Sequence, residues 1–415
     1  MNGNRLNCDC VVAGGGAAGM MAAITAARKN SHVILIEHTA RLGSKLLQTG
    51  NGKCNFTNLD MDKKYYQNEN PNFVETVLGK FTVKDTLAFF REIGVYNRER
   101  NGYVYPNSET ASSLQDALRQ EVEHTGVTVL TECNIQTVKK EKEGFVIETD
   151  KGTIKTVSLI LATGSKAAPK TGSDGSGYAL AKGLGHHIVK PLPALVQLTS
   201  DNRLCKGMAG VRSTGSVAIY ADGKKLAEDL GEIQYTDYGI SGIPVFQVSR
   251  YAVKAKDRKE QVLAVVDMLP AFSLEELRKD IQERIKREKE KDLISFFAGL
   301  LHKKLVQAVV KSLGLDMNMT AGQAGEKKLI KIMESMKAFS FHITGSRSFE
   351  YAQVCQGGVA LSEVDAETME SKICKKLYFA GELLDVDGKC GGYNLQWAWS
   401  SGYLAGMNAA KGSVL

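Results

Sequence analysis

The chain has 415 residues, of which 43% are hydrophobic and 24% charged, so its composition excludes a disordered or collagen-like protein and its length predicts two or three domains. The 53 lysines and arginines exceed the 46 aspartates and glutamates by 7, an excess too diffuse to indicate a nucleic-acid-binding protein. The eight cysteines form no C-x-x-C motif, and no metal-ligand spacing with the seven histidines, which predicts free thiols, no metal site and a cytoplasmic location. We recognise no signal peptide and no apolar run of roughly 18 residues, and therefore expect no membrane insertion.

A glycine-rich turn near the start of the chain has the spacing of a phosphate-binding turn. The apolar residues 10–13 predict a buried parallel strand, and Gly14, Gly16 and Gly19 follow it as G-x-G-x-x-G. The first glycine permits the tight turn, the second lets the main chain approach a pyrophosphate, and the third allows close helix–strand packing. Residues 20–29 continue as a predicted helix, whose N-terminus offers free N–H groups to a phosphate.

An acidic residue follows this turn at the distance expected for a dinucleotide site. Residues 32–36 predict the second strand, and Glu37 ends it, 18 residues beyond Gly19. A carboxylate at this place binds a ribose diol and disfavours a 2′-phosphate, which indicates FAD or NAD rather than NADP. The alternative is a fortuitous glycine-rich turn, but strand, turn, helix, strand and acid all occur in the required order.

Two later segments are candidates for lining the same cofactor. In residues 41–58, Gly50 and Gly52 bracket Asn51, so the main chain is permissive there, and the small polar side chains could lie against a planar ring system. The alternative is an ordinary polar loop. Residues 158–165 predict a strand that ends in Thr-Gly beside the cofactor, and main-chain groups near Ile135 are candidates for the adenine edge.

The middle of the chain differs in character from both ends. Pro191 and Pro193 mark a boundary, after which residues 194–266 alternate in the manner of antiparallel strands, with a hairpin signal at Asp222-Gly223. Ser273 then resembles the N-cap of a charged, amphipathic helix. The predicted fold is α/β, a Rossmann-type FAD-binding domain built from both termini (1–190 and 340–415) with a β-rich insert (191–268 and 325–339) that carries a helical subdomain (269–324).

A second glycine-rich segment, residues 381–402, supports a flavin in particular. It reads Gly381-Glu382 and, from residue 391, Gly-Gly-Tyr-Asn-Leu-Gln-Trp-Ala-Trp. With this segment and with residues 43–58, 163–178, 231–242 and 352–359, the chain resembles the BaiN-like flavoproteins over essentially its whole length. The resemblance implies a two-dinucleotide-binding-type FAD protein, in a family described as 3-dehydro-bile acid Δ4,6-reductases and as aminoacetone oxidases.

The motifs and the resemblance together predict the residues that contact FAD. The resemblance implies that the glycine turn binds the pyrophosphate, and that the last helix begins beneath the isoalloxazine, where its dipole favours negative charge on the reduced ring. The predicted set is Gly14, Gly16, Ala17, Ala18, Gly19, Glu37, His38, Arg41, Lys45, Gly50, Asn51, Cys54, Asn55, Ile135, Thr163, Gly164, Gly381, Glu382, Asp387, Gly391, Gly392, Tyr393, Asn394 and Leu395. Cys54 and Cys390 are either small packing residues or, less in keeping with the absent C-x-x-C, a redox disulfide.

The leading functional prediction is NAD(P)H-driven reduction of an activated C=C bond, such as the enone of a 3-oxo-Δ4 bile acid or steroid, with either NADH or NADPH as donor. The alternatives are a flavin amine oxidase that uses O2 and an RNA-associated flavoprotein. The predicted partner is a small-molecule substrate rather than nucleic acid or a membrane, and the oligomeric state stays open.

The insert is expected to select the substrate at a flavin face bordered by Tyr393 and residues 235–241. Candidate proton donors or oxyanion partners are Tyr235, Asp237, Tyr238, Ser241 and Tyr393. The plainer alternatives are sheet aromatics for Tyr235 and Tyr238 and a turn residue for Asp237. Trp397 and Trp399 are expected to be core residues of the last helix.

Overall fold

The computed structural model describes residues 5–411, and the chain divides into two units. One unit combines the two ends of the chain, up to Leu192 and again from Gln353, and the other spans Pro193–Ala352. The strands are β1 Arg5–Ala13, β2 Val33–Ile36, β3 Thr57–Asn58, β4 Tyr66–Gln67, β5 Asn97–Arg100, β6 Tyr103–Pro106, β7 Thr128–Leu130, β8 Ile135–Lys140, β9 Phe145–Thr149, β10 Gly152–Leu161, β11 Ile188–Ala194, β12 Leu198–Ser200, β13 Arg212–Ala221, β14 Lys224–Thr236, β15 Gly239–Gly242, β16 Val262–Asp267, β17 Phe339–Ser346, β18 Val354–Val359, β19 Leu377–Phe379 and β20 Asp387–Gly388. The helices are α1 Ala17–Ala27, α2 Pro71–Lys80, α3 Val83–Glu92, α4 Ala111–His124, α5 Ser176–Gly183, α6 Cys205–Met208, α7 Ile243–Asp257, α8 Leu274–Glu288, α9 Leu293–Phe297, α10 Lys303–Ser312, α11 Ala321–Lys337 and α12 Tyr393–Lys411.

The first unit is a Rossmann-type domain built on a seven-stranded sheet. Its order is β7-β2-β1-β10-β9-β8, and β19 also pairs with β10. The strands β7, β2, β1, β10 and β19 run parallel, whereas β9 and β8 are antiparallel additions. The apolar ends of β1, β2 and β10 are buried, as parallel strands covered on both faces require. The predicted α/β fold class, with both termini in one domain, is confirmed.

Helices from the two ends of the chain pack directly on each other in this unit. Gly402 and Gly406 lie one turn apart on α12, and a Cβ at either position would overlap the main-chain oxygen of Ala18 or Ala22 on α1. Only glycine permits this close approach, which joins the first and last helices that the structure describes. Trp397 and Trp399 are almost wholly buried in α12, so their predicted core position is confirmed.

The second unit contains a closed antiparallel barrel, with strand order β12-β15-β14-β13-β16-β17. The predicted hairpin is present, because β13 and β14 pair across Asp222 and Gly223, both of which have positive φ. The helices α7 to α11 bury apolar side chains against the same core. Ser273 caps α8 in a reciprocal capping box with Glu276, as its position predicts.

The structure differs from the predicted division of the chain at two places. The prediction returns the chain to the first domain at residue 340, but β17 pairs with β16 and β12 and thereby closes the barrel. Its residues alternate between buried and exposed, as in a barrel strand, so the chain returns to the first unit only at Gln353. The boundary predicted at residue 324 lies within α11, beside a kink at Gly325, whose φ of +66° and ψ of +168° are not helical.

A buried polar network holds the segment that follows α5. The His186 side chain has Nδ1 at 3.0 Å from Glu363 Oε2 and Nε2 at 2.9 Å from Ser371 Oγ. Ser371 Oγ also accepts the main-chain N–H groups of Ile373 and Cys374. Both of its lone pairs are then in use, so Ser371 donates its own proton to Nε2, which requires a neutral imidazole. Burial lowers the pKa of His186, although Glu363 acts in the opposite direction.

We predict that His186 makes the first unit less stable in acid. A histidine in the unfolded chain has a pKa of about 6.5 and the folded pKa is lower, so the stabilisation is present above pH 6.5 and is lost as the pH falls through the folded pKa. His186→Asn should cost roughly 1–3 kcal/mol at pH 7.5 and should reduce the loss of stability between pH 7.5 and 5.5. Urea unfolding followed by tryptophan fluorescence measures this, because both tryptophans lie in α12.

The matched control for this prediction is His187→Asn, since His187 is exposed and contributes only its main-chain N–H to Glu363. If wild type and His186→Asn lost the same stability on acidification, the assigned role of His186 would be wrong.

Candidate functional site

The three glycines of the N-terminal turn have three different environments. Gly14 has φ +103°, and a Cβ there would overlap the main chain at Ala162. A Cβ on Gly19 would overlap the carbonyl oxygen of Gly14. A Cβ on Gly16, in contrast, would meet no atom within 4 Å. The first and third glycines therefore shape the turn, whereas the second borders open space at the start of α1.

The N-terminus of α1 is suited to bind an anion. Gly16 is the N-cap residue, and no side chain of the described residues caps this helix. Met20 is the first residue whose N–H donates to a carbonyl of the same helix, that of Gly16. The N–H groups of the preceding residues, Ala17, Ala18 and Gly19, therefore have no acceptor within the helix. These groups and the positive end of the helix dipole are what a phosphate requires.

Glu37 is held beside this turn by the main chain. Its Oε2 accepts the N–H of Gly15 at 2.8 Å, and its Oε1 accepts the N–H of Thr39 at 2.7 Å. Because a carboxylate has about four acceptor sites, two remain for the hydroxyls of a ribose. The His38 ring nitrogen Nε2 lies 3.8 Å from Glu37 Oε1. The main-chain N–H of Cys133 donates to the Glu37 carbonyl, which brings the segment that precedes Ile135 to the same place.

Lys45 and Glu382, both predicted to border the cofactor, form an ion pair across 337 residues of sequence, with Nζ 2.7 Å from Oε2. The other carboxylate oxygen accepts the Ser165 hydroxyl at 2.6 Å and the Cys355 main-chain N–H at 3.0 Å. Glu382 therefore joins four separate segments. Ser165 and Cys355 are part of this arrangement although the sequence prediction omitted them, because only the fold brings them together.

The start of α12 is a glycine turn that packs tightly against the loop following the 3₁₀-helical residues Leu46–Gly52. Gly391 and Gly392 have φ +121° and +91°, and a Cβ on Gly392 would overlap Asn55 Oδ1. Asn394 shapes the preceding loop, since its amide both accepts the N–H of Gly388 and donates to the carbonyl of the same residue. The first turn of α12 thus presents main-chain N–H groups next to the polar side chain of Asn55.

Tyr393 stands at this helix start among other tyrosines. Its ring centroid is 4.8 Å from that of Tyr65 and 6.0 Å from that of Tyr66, and the Tyr66 hydroxyl donates to the Tyr393 carbonyl at 2.8 Å. Burial, with a smaller contribution from Tyr65, raises the pKa of Tyr393 above its usual range. The phenol therefore keeps its proton at neutral pH.

The buried polar atoms of the first unit that have no hydrogen-bond partner include Asn55 Oδ1, Thr163 Oγ1 and the hydroxyl of Tyr178. Asn55 and Thr163 belong to the predicted cofactor set, and Tyr178 lies within one of the segments that carry the family resemblance. An unsatisfied buried polar atom costs roughly 1–3 kcal/mol, so a polar ligand at these atoms would stabilise the site. These atoms, together with the open space at Gly16, fit a bound dinucleotide.

The remaining predicted cofactor residues occupy varied positions. Gly50, Asn51 and Cys54 all have positive φ, which gives the loop a tight, irregular path. Gly164 also has positive φ, and Gly381 donates its N–H to Ser401. Arg41 is exposed, Leu395 is half-buried, and Asp387 is buried in β20.

The cysteines are free throughout the described residues. Burial raises the pKa of Cys54 to about 11, which opposes the thiolate that redox exchange needs. Cys390 is only partly buried. The plainer alternative, that these are packing residues, is the one that the structure favours.

The five predicted catalytic residues do not all belong to one unit. Tyr393 is in the first unit, and the other four are in the second. Tyr235 is wholly buried in the barrel core, with its ring 6.4 Å from Phe341, and burial raises its pKa to about 12. Asp237 is exposed in the turn between β14 and β15, and Ser241 is buried in β15 opposite Gln234. These positions agree with the alternatives given above, in which Tyr235 is an aromatic residue of the sheet and Asp237 is a turn residue.

We predict that Gly16→Val yields a folded protein without its dinucleotide, because the valine side chain would fill the open space but would meet no protein atom within 4 Å of its Cβ. Glu37→Ala should only weaken binding, since each charge-assisted bond to a ribose contributes roughly 1.5–3 kcal/mol. Absorbance of the purified variants at flavin wavelengths, with circular dichroism as a test of folding, measures both.

Gly19→Ala is the matched control for this experiment, because its Cβ would overlap Gly14 and should impair folding itself. Equal FAD content in wild type and Gly16→Val would contradict the assignment of the open space to the cofactor.

Comparison with known proteins agrees with the predicted resemblance. A family model described as HI0933-like protein Rossmann domain matches residues 8–408. A 3-dehydro-bile acid delta(4,6)-reductase from Clostridium scindens is 40% identical over 96% of this chain and 98% of its own length. A ribosomal RNA dihydrouridine synthase from Escherichia coli is 29% identical over 98% of this chain and 99% of its own.

A solved structure titled quinol-fumarate reductase with menaquinol molecules shares the fold. It has a TM-score of 0.50 and 15% identity, and the match covers 98% of this chain and 71% of that one. None of the helices among residues 5–411 combines the length and the apolar character of a membrane span. The match over nearly the whole chain shows that this protein belongs to the HI0933-like family.

Proposed function

We propose that the protein is an FAD-dependent oxidoreductase that reduces a C=C bond conjugated to a carbonyl group, such as the enone of a 3-oxo-Δ4 bile acid or steroid, with electrons from NADH or NADPH. The observation that carries this proposal is the 40% identity, over 96% of the chain, to a relative named 3-dehydro-bile acid delta(4,6)-reductase. The open space at Gly16 and the unpartnered polar atoms of Asn55, Thr163 and Tyr178 support the choice of a dinucleotide cofactor.

When bound, FAD supplies the hydride-transfer chemistry that no side chain of this protein offers. The first turn of α1 would hold the pyrophosphate through its N–H groups, and Glu37 would hold the adenosine ribose. Asn55, Thr163 and Tyr178 would supply hydrogen bonds from atoms that otherwise have no partner. The ion pair of Lys45 with Glu382 fixes the loop that carries Asn55 relative to the C-terminal glycine segment.

The start of α12 is suited to stabilise negative charge. The helix has 19 residues, and its first turn follows two glycines, which have no side chains of their own. Main-chain donors and the helix dipole that are already oriented cost no reorganisation when charge develops during a reaction. This is the feature of the chain best placed to stabilise a reduced, anionic ring.

Tyr393 is the proposed proton donor to the substrate. Its raised pKa keeps the phenolic proton in place at neutral pH. Its contacts with Tyr65 and Tyr66 restrict the ring, so the phenolic oxygen has a defined position. A donor at this oxygen would polarise the substrate carbonyl or return a proton to carbon.

We predict that the purified protein is yellow and contains FAD without a covalent bond, because no histidine or cysteine lies in a recognised attachment motif. Heat or acid should release the flavin into the supernatant, where chromatography identifies it. Flavin that remained with the precipitated chain would contradict the non-covalent prediction, and FMN in place of FAD would contradict the role given to Glu37.

We predict that Tyr393→Phe separates the two half-reactions. Reduction of the flavin by NADH or NADPH should stay near the wild-type rate, whereas re-oxidation by an enone should fall by ~10²–10³, the usual cost of one oxyanion donor. Anaerobic stopped-flow absorbance measures each step. Tyr96→Phe is the matched control, because Tyr96 is 56% exposed and its ring contacts Arg91.

The same experiment tests the other predicted donors. Tyr238→Phe is the next variant to measure, and Tyr235→Phe should leave both steps unchanged because its ring is in the barrel core. If Tyr393→Phe were re-oxidised by an enone at the wild-type rate, Tyr393 would not be the proton donor. The next candidates would be Tyr238, Asp237, Ser241 or a main-chain N–H. Re-oxidation by amines or O2 alone, with no response to any enone, would favour the amine oxidase alternative over the proposal.

A second candidate is reduction of uridine within RNA. Two relatives named ribosomal RNA dihydrouridine synthase, from Haemophilus influenzae and Escherichia coli, are 28% and 29% identical over 97% and 98% of this chain. The bond reduced in uridine is also a C=C conjugated to a carbonyl, so the same site chemistry would serve. The interval Pro193–Ala352 holds 25 lysines and arginines against 20 aspartates and glutamates, a small excess.

A gel-shift assay with salt titration separates the two candidates. Binding that uses several phosphate contacts falls steeply with salt, with a log–log slope of about −0.7 for each neutralised phosphate of a single strand. A steep slope with ribosomal RNA fragments, together with dihydrouridine in the product, would replace the bile acid proposal. A flat response would leave the small-molecule substrate in place.

A further inference from the structure

An arginine of the second unit lies between two tyrosine rings. Arg347 directly follows β17 and is half-buried. The carbon of its guanidinium group is 4.8 Å from the centroid of the Tyr238 ring and 3.8 Å from that of the Tyr351 ring. Its main-chain N–H donates to the Gln197 carbonyl at 3.0 Å, which fixes the backbone at the edge of the barrel. All four residues belong to the interval Pro193–Ala352.

The charge of Arg347 has no carboxylate partner within residues 5–411. Other arginines of this unit do have one: Arg212 lies 3.0 Å from Glu232, and Arg278 lies 2.6 Å from Glu334. Nor does any N–H group of the Arg347 side chain form a hydrogen bond within the described part of the chain. The contacts with the tyrosine rings use its charge but none of its five donors.

Such an arginine is suited to bind an oxyanion. A guanidinium group is planar and always charged, and its donors match the two oxygens of a carboxylate. The two rings restrict the side chain before any ligand arrives, which lowers the entropy cost of binding. None of the Arg347 nitrogens is among the buried unpartnered atoms of the described residues, so its donors reach solvent and are accessible to a ligand.

Two neighbouring polar atoms also lack partners. The side-chain oxygen of Gln197 and the hydroxyl of Thr236 are buried and form no hydrogen bond. The Gln197 carbonyl accepts the main-chain N–H of Arg347, and Thr236 is the last residue of β14, two residues before Tyr238. A ligand with hydroxyl groups as well as a carboxylate would satisfy atoms of both kinds.

We propose that Arg347, Tyr238 and Tyr351 form an anion site that takes the carboxylate of the substrate, so that this unit selects acidic substrates. The identity of that substrate rests on the proposed function, since a bile acid is a steroid that ends in a carboxylate. The site itself requires only a carboxylate and is independent of the reaction at the flavin.

The test compares a 3-oxo-Δ4 steroid carboxylic acid with its methyl ester, which removes the charge and keeps the enone. Isothermal titration of the intact, flavin-loaded protein gives the dissociation constant of each. Wild type should bind the acid roughly tenfold or more tightly than the ester, because a charge-assisted, two-oxygen contact is lost in the ester. In Arg347→Gln the preference should disappear, through weaker binding of the acid alone.

Matched variants separate the role of Arg347 from general damage. Arg212→Gln removes an exposed, ion-paired arginine of the same unit and should keep the full preference. Arg347→Lys should keep part of it, because the charge remains but the planar donor pair does not. Should Arg347→Gln fail to fold, Tyr351→Leu serves instead, since Tyr351 is 46% exposed and its loss should weaken the preference while Tyr351→Phe preserves it.

The outcomes distinguish this site from the proposed reaction. An unchanged preference in Arg347→Gln would overturn the carboxylate site. Loss of the preference, in a protein whose flavin no enone re-oxidises, would support the site and refute the reaction. Competition by inorganic phosphate that exceeded competition by acetate at equal concentration and pH would overturn the choice of a carboxylate in favour of a phosphate.

Discussion

The close contact between α1 and α12 is the constraint on which the first unit depends. Glycines at positions 402 and 406 let the main chains of the two helices approach each other more closely than a larger residue would allow. Helix α1, which begins at the N-terminal glycine turn, is thereby fixed against α12, which begins at Tyr393. Two helix N-termini, each able to hold negative charge, acquire a constant separation although nearly the whole chain lies between them in sequence.

Buried hydrogen bonds make this arrangement specific. The Gln396 side chain accepts a hydrogen bond from the Thr57 hydroxyl at 2.6 Å and donates one to the Thr86 hydroxyl at 2.9 Å. These bonds connect α12 to both β3 and α3. The indole of Trp397 donates to Gly381, and that of Trp399 donates to Phe56. Each bond joins segments about 16 to 343 residues apart, and each would leave a buried polar atom unsatisfied if the packing slipped.

The parts that the sequence predicts well are those whose physical cause is local. The glycine turn, Glu37 and the Asp222-Gly223 hairpin depend on spacing and on backbone conformations that neighbouring residues determine. The ion pair of Lys45 with Glu382 and the unpartnered hydroxyl of Tyr178 depend on tertiary contacts, which no local pattern reveals. Tyr235 is an intermediate case, since its alternation with Ile233 along β14 is a signal of a core-facing position that outweighs its proximity to a motif.

The boundary of the insert differs from the prediction for a related reason. The alternation of β17 indicates a strand with one buried face, but not the strands with which it pairs, and β12 lies far earlier in the chain. Only the partner strand decides to which unit such a segment belongs. Arg347, immediately after this strand, has no local signal either, because a single arginine in a sequence does not show whether a carboxylate lies nearby.

The two units differ in the kind of group that we propose to bind a ligand. In the first, the groups proposed to bind the cofactor are main-chain N–H groups, neutral polar side chains and the carboxylate of Glu37, which suits a large cofactor held by many contacts. In the second, the group proposed to bind a ligand is one positive charge between two rings. A single charge discriminates between substrates more sharply than a set of neutral contacts, because an uncharged analogue leaves it desolvated and unpaired.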